Sequence, residues 1–396
     1  MSIISRWMPR LGRRSPSPPR VFPNTGFTRI PSDMVVDEET FPDYQESRYY
    51  PVRIGEVFAS RYQVVGKLGY GISSTVWLAR DLNQHSHVVL KVFIRSHSFM
   101  EEHRDKELNS YKRISSVSAT SWHPGRKCMR TLLDCFNITG PHGDHQCMVH
   151  PPLWDSLTTF LMRNPDDGRL PGPLLGAVLF QLLRALDFMH TECKLIHTDL
   201  RPDNIMFGCK DSSIFDEFEQ RELENPCSTR ETEDGRVIYA SRQLNVPHHQ
   251  MLTPPVLCDF GAVVSGEQQN TGNAQPPILR APEVILGLPW SYEIDIWNTT
   301  RTHLADMIAL LGPPPPEMIA SGRHSSKYFS ADGNFKYDIP PAHTLDSIET
   351  TLQRLNLTEE REMFLKFVGK MMHWDPKKRA TARELIDDPW LKAVNT

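Results

Sequence analysis

One short run limits the folds open to this chain: His197-Thr198-Asp199-Leu200-Arg201-Pro202-Asp203-Asn204, directly after the apolar stretch from Leu174 to Met189. That stretch, with Leu175, Val178, Leu182, Leu186 and Phe188, has the composition of a helix buried on more than one side. A chain that buries such a helix and then turns sharply into a polar loop needs a sizeable helical core. Within the loop, Asp199 is followed five residues later by Asn204, a spacing that suits a catalytic carboxylate and a metal ligand held in one tight turn.

At 396 residues the chain is long enough for two lobes rather than one. A net charge of −4 gives no reason to expect direct nucleic-acid binding. Seven Cys without a Cys-x-x-Cys pair argue against a zinc site or a disulfide framework and for a reduced intracellular protein. We find no run of about 18 or more apolar residues, so no transmembrane helix and no membrane partner is expected. Residues 1–32 hold six Arg and no acidic residue. That composition overlaps with mitochondrial transit peptides, but the run Ser15-Pro16-Ser17-Pro18-Pro19 favours a disordered basic tail, which we extend to residue 47.

Period-two patterns predict strands over Arg61 to Val65, Thr75 to Ala79 and His87 to Ile94, then 131–137 and 145–150. A helix is predicted over 98–116, with Leu108, Tyr111 and Ile114 at helical spacing. Residues 48–153 thus read as a small antiparallel sheet with one helix. Residues 154–394 read as mainly helical, with further helices in 278–311 and 359–394. Within them, 208–254 is a polar insert of nine acidic and five basic residues, expected to be mostly loop or disordered.

Several motifs stand in order along these elements. Leu68-Gly69-Tyr70-Gly71 lies between two strands, where small residues let the backbone approach phosphates. Lys91 follows on the next strand. The helix offers Glu101, Glu102 and Glu107; Glu107 lies beside the apolar face and is the choice. Cys258-Asp259-Phe260-Gly261 and Ala281-Pro282-Glu283 come later. The whole series resembles the protein-kinase signature set. The stretch Tyr49 to Phe58, the Thr in His197-Thr198-Asp199, Trp290 to Asn298 and the insert are similar to the SR-protein kinases, which phosphorylate serines in Arg/Ser-rich splicing factors. The resemblance covers about residues 48–394.

It implies an α+β, two-lobed protein-kinase fold using ATP and Mg2+ to phosphorylate Ser or Thr, with a protein substrate, no direct nucleic acid and a monomeric chain. Asp199 would orient the attacking hydroxyl. Lys91 and Glu107 would position the phosphates. Arg201 would neutralise the transferring group, standing where a Lys is common. Asn204 and Asp259 would hold magnesium. ATP would lie against Leu68, Gly69, Gly71, Val76, Val89, Lys91 and Met206. His150 would be gatekeeper, with the Pro151 carbonyl and Leu153 meeting the adenine. Glu283 would pair with Arg379. Thr198 replaces the Arg that commonly receives a phosphate on the activation segment, so activity is expected to be independent of that phosphorylation. The family suggests cytoplasm and nucleus.

The pattern breaks after Asn298. The polar run Thr299 to His303 stands where the resemblance implies a long apolar helix, and His303 to Pro313 is similar to a segment some 30 residues further on in the SR-protein kinases. The end of one helix and the next helix are expected to be missing, which leaves a second reading: an impaired kinase-like scaffold. A small-molecule phosphotransferase is disfavoured by Ala281-Pro282-Glu283 and by Trp374 to Arg379.

Overall fold

The computed structural model describes residues 15–95, 98–163, 170–233, 235–247, 251–298, 304–337 and 358–395, and the side chains of all of these but 98–104 and 358–360. Residues 1–14, the Glu101 and Glu102 side chains and the run 299–303 lie outside them. The chain forms two compact units, one of Met1–Ser96, Leu132–Pro152 and Asp211–Pro247, the other of His97–Thr131, Leu153–Lys210 and His248–Thr396.

The first unit is built on an antiparallel sheet of β1 (Val57–Phe58), β2 (Tyr62–Gly71), β3 (Ser74–Asp81), β4 (Ser86–Phe93), β5 (Asp134–Gly140) and β6 (Gly143–His150), in the order β1-β2-β3-β4-β6-β5. Alternation sends Val64, Trp77, Val88, Leu90, Val92 and Val149 into one apolar cluster. The turn after β3 is tied by Asp81, which accepts from the Asn83 and Gln84 amides at 3.0 and 3.1 Å and takes a two-pronged grip from Arg61 at 2.9 and 2.6 Å.

Two expectations need correction in this unit. The insert is loop over more than half of its length but not disordered throughout: it contains a helix, Ser213–Glu224, and a hairpin of Thr229–Glu231 and Val237–Tyr239, and residues 211–247 pack with the sheet rather than with the helical unit. Ile214, Phe215 and Phe218 are buried, and a Cβ on Gly66 would come within 2.8 Å of the Phe218 ring. Two of its acidic residues are buried and paired: Glu219 with His87, Arg20 and Arg80, and Glu222 with Arg242. Nor are residues 15–47 a tail. Phe22 and Val36 are buried, Ser17 donates its amide to Leu82 at 2.8 Å, and residues 28–30 bridge Thr229 of the insert.

The second unit centres on a helix, Gly172–Phe188, that runs into a wider turn, Met189–Cys193. By length and composition this stretch could cross a membrane, contrary to the expectation above; instead Val178, Leu182, Leu183, Ala185, Leu186 and Phe188 are buried in the unit. Gly125 lies so close to it that a Cβ there would meet the Arg184 carbonyl oxygen at 1.9 Å. The long helix Ser98–Thr120, expected with the sheet, packs in this unit: Tyr111 meets the Phe260 ring edge-on at 5.0 Å, and Arg113 donates to the Cys193 carbonyl at 3.2 Å.

At the position of the expected break the described residues hold a helix of five residues, Glu293–Trp297, and then Leu304–Leu311. Leu304 and Met307 join Trp290, Ile294, Trp297 and Trp374 in one apolar cluster. Arg379 grips Glu283 with both arms, at 2.6 and 2.7 Å, with both side chains buried and the guanidinium 4.8 Å from the Trp297 ring centroid.

Candidate active site

In the second unit the loop 197–204 is positioned by one carboxylate. Asp295 is fully buried and accepts from the His197 amide at 2.7 Å, from the Thr198 amide at 2.8 Å and from His190 at 2.9 Å. Thr198 has φ +66°, a left-handed conformation that is strained for a β-branched residue, by about 1–3 kcal/mol. The Asp295 bonds and a 2.9 Å bond from Thr198 Oγ1 to the Ala262 carbonyl hold it there. Thr198 therefore ties the loop 197–204 to the segment after Asp259.

Asp199 and Asn204 are brought together as the spacing implies. Asn204 Nδ2 donates to the Asp199 carbonyl at 2.8 Å and to its carboxylate at 3.1 Å. With its amide nitrogen so used, the atom Asn204 can offer a cation is its carbonyl oxygen. Asp259 arrives from the neighbouring strand. Val256–Leu257 pairs with Ile205–Phe207, and the Cys258 amide donates to the Asn204 carbonyl at 2.8 Å. Asp259 too is left-handed, at φ +62°. Phe260 is fully buried, with its ring against Tyr111 and, at 5.8 Å, His197. His197 accepts the Asp199 amide on Nδ1 at 3.3 Å and meets the Cys258 carbonyl with Nε2 at 3.2 Å, which assigns the proton to Nε2.

Burial pushes the Asp199 carboxyl above its ordinary range, and the Asp259 charge adds to this, while the Arg201 charge and the Asn204 hydrogen bond pull it back. Arg201 is exposed and forms an ion pair with Asp203 at 3.1 Å. The donors offered by Asn204 and Asp259 are hard oxygens, one carbonyl and one carboxylate beside a second carboxylate, and they fit Mg2+, which takes one or two carboxylates and leaves positions for phosphates. A cavity of about 450 Å³ opens beside Asp199, lined by Thr198, Ala262, Asn270, Gln275 and Trp290 among others.

In the first unit the register places the remaining residues. Gly69 pairs with Val76, Val76 with Lys91, Val89 with His150 and Lys91 with Met148, so all six share one face of the sheet. Leu68 sits at a register shift between Lys67 and Gly69, a bulge where a plain hairpin was expected. A Cβ on Gly69 would meet nothing within 4 Å, and one on Gly71 would only touch the Ser74 carbonyl at 4.0 Å. Packing inside the protein does not demand these glycines; what they leave is open backbone, as a phosphate-covering loop requires. Lys91 lies with its ammonium 5.0 Å from the Phe93 ring centroid. Glu107, in the second unit, is buried on the helix one turn before Tyr111. Pro151 is the last residue but one of the segment Leu132–Pro152 of the first unit, Leu153 begins the segment Leu153–Lys210 of the second, and Met206 lies in the central strand of the ribbon Val256–Leu257, Ile205–Phe207, Asp155–Ser156.

Gln275 carries no signal in the sequence. It is buried at φ +65°, accepts the Ala281 amide at 2.8 Å, and donates to the Ile294 carbonyl at 2.8 Å and to the Asn298 side chain. Asn298 in turn donates to the Leu200 carbonyl at 3.2 Å. Asp295 is legible only as part of the stretch Trp290 to Asn298, without its role.

Comparison with known proteins gives the family and the fold. The protein kinase domain family matches residues 62–216. A serine/threonine protein kinase of Aspergillus fumigatus is 38% identical over 414 aligned positions, spanning 97% of this chain and 98% of the relative. The serine/threonine-protein kinase SRPK of Physarum polycephalum is 31% identical, over 90% of this chain and 92% of its own length. A solved kinase domain superposes with a TM-score of 0.62 at 20% identity, covering 88% of this chain and all of that one, a likeness of fold. The first alignment is longer than the 396 residues of this chain, so that relative carries residues with no counterpart here.

Proposed function

This chain belongs to the SR-protein kinase family of serine/threonine protein kinases, and from that premise we propose that it transfers the γ-phosphoryl group of ATP to serine or threonine hydroxyls in Arg/Ser-rich proteins. The observation that carries this is the joint placement of Asp199, Asn204 and Asp259 by one strand pair and one buried carboxylate, Asp295.

Each residue has a stated task. Asp199, its carboxylate held by Asn204, accepts the hydroxyl proton as the nucleophile attacks. Asn204 and Asp259 supply the oxygens for Mg2+, which when bound neutralises charge on the ATP phosphates. Lys91 presents its ammonium to the phosphates on the face it shares with Val76 and Val89, against which the adenine packs. Gly69 and Gly71 let the backbone cover the phosphates. Arg201, exposed beside Asp199, offers its guanidinium to the transferring group. The cavity beside Asp199 receives the substrate segment that carries the hydroxyl.

Labelling of an Arg/Ser peptide with γ-labelled ATP tests this. Wild type should label serine, and Asp199→Asn should lower kcat by about 10²–10⁴. Labelling should survive phosphatase treatment of the enzyme, because Thr198 reaches Ala262 directly. A wild type that binds ATP but labels no peptide would favour the scaffold reading instead.

A further inference from the structure

The buried ammonium of Lys67 stands apart from the chemistry described so far. Lys67 lies on β2 immediately before the Leu68 bulge and the glycine pair, and its side chain is fully buried. It pairs with Trp77 across the sheet, so it points to the face opposite Lys91 and Val76. Its ammonium donates to Glu38 Oε2 and, at 3.0 Å, to the Tyr239 carbonyl, and forms an ion pair with Asp37 Oδ2 at 3.0 Å. A buried charge paired with two carboxylates is strongly placed, and removal of one partner would leave the others uncompensated.

The acceptors come from the two segments that the sequence marks as tail and loop. Asp37 also accepts from the Ser241 amide and hydroxyl at 2.7 and 2.5 Å, and the Arg242 amide donates to the Lys67 carbonyl at 2.9 Å. Glu39 binds Arg230 of the insert hairpin. The same N-terminal turn reaches the loop itself. Phe41 packs edge-on against Tyr70, between the two glycines, with ring centroids 5.6 Å apart, and the Lys67 ammonium is 5.6 Å from the same Tyr70 ring centroid. Tyr70 is otherwise open to solvent on one side.

We propose that Asp37, Glu38 and Phe41 form a clasp on Lys67 and Tyr70 that sets the position of the glycine-rich loop over the nucleotide phosphates. The residues of the clasp are positioning residues; they act through the loop backbone at Gly69 and Gly71. The N-terminal segment and the insert thereby become part of the nucleotide site without lining it. This inference rests on the ATP-dependent reading above.

Phe41 is half-buried, so Phe41→Ala removes the contact with Tyr70 without opening the core. In the full chain it should raise KM for ATP by about tenfold while kcat and the peptide KM change less than about twofold, and Phe41→Tyr should restore the wild-type value. Deuterium exchange at the amides of residues 68–72, measured without nucleotide, should speed up in Phe41→Ala and not in Phe41→Tyr. Unchanged exchange together with an unchanged ATP KM would overturn the clasp, as would parallel losses in kcat, both KM values and melting temperature. If wild type transfers no phosphate, the reading of the function falls, and the exchange comparison alone decides the clasp.

Discussion

Asp199 shows how much a single residue's setting matters. It must be ionised to take the hydroxyl proton, and its pKa is raised by burial and by Asp259. The acid limb of kcat/KM should therefore lie above the ordinary aspartate value of about 3.9. Arg201 is one of the charges that hold the carboxyl down, so Arg201→Gln should lower kcat and also move that limb to higher pH. A limb that stays put or moves down would show that Arg201 does not act on Asp199. At this scale most of the site was legible, because an Asp–Asn spacing and an Asp-Phe-Gly turn encode local geometry. The left-handed Thr198 and Gln275 were not: Thr198 is held by Asp295, far along the chain, and Gln275 by Asn298 and the Ala281 amide, contacts that no sequence motif marks.

Among the elements, the insert helix Ser213–Glu224 is the sharpest lesson. The insert reads as loop or disorder because its aromatics and aliphatics are sparse, yet three of those it has, Ile214, Phe215 and Phe218, lie on this helix and are buried. Glu219 is surrounded by His87, Arg20 and Arg80, all from parts of the chain more than 130 residues away in sequence. Burial works to raise its pKa, but the His87 hydrogen bond and the Arg20 and Arg80 charges prevail and lower it. A carboxylate whose folded pKa is depressed contributes stability above its unfolded value of about 4.3, and that contribution is lost as pH falls through the folded value. Glu219→Gln should thus lower the melting temperature of the sheet unit at neutral pH, and the gap to wild type should close as the solution is acidified. A gap that is constant with pH would mean that the Glu219 charge is not what fastens the helix. Strand and helix periods were readable because they are local; the clothing of the sheet by residues 15–47 and 211–247 was not, because it depends on charge pairs distant in sequence.

For the molecule as a whole, the question left by the sequence is whether a helical unit whose pattern breaks after Asn298 packs as a native core. The structure answers with particular side chains. Trp297 and Met307, on either side of the break, are both fully buried in the cluster that also holds Ile294, Leu304 and Trp374. The helix that ends at Trp297 carries Asp295, so the packing of this cluster and the posture of the catalytic loop share one element. If the cluster is closed to native density, removing the Met307 side chain leaves a cavity whose cost is about 2–5 kcal/mol. Urea unfolding followed by tryptophan fluorescence, with Trp290, Trp297 and Trp374 in the cluster as reporters, should show Met307→Ala shifted by that amount, with kcat falling alongside. A cost below about 1 kcal/mol would mean that the cluster was already loose, since a poorly packed site collapses around a deletion at little expense. In that case Asp295 would lack a rigid mount, and intact chemistry at Asp199, Asn204 and Asp259 would not be enough for turnover.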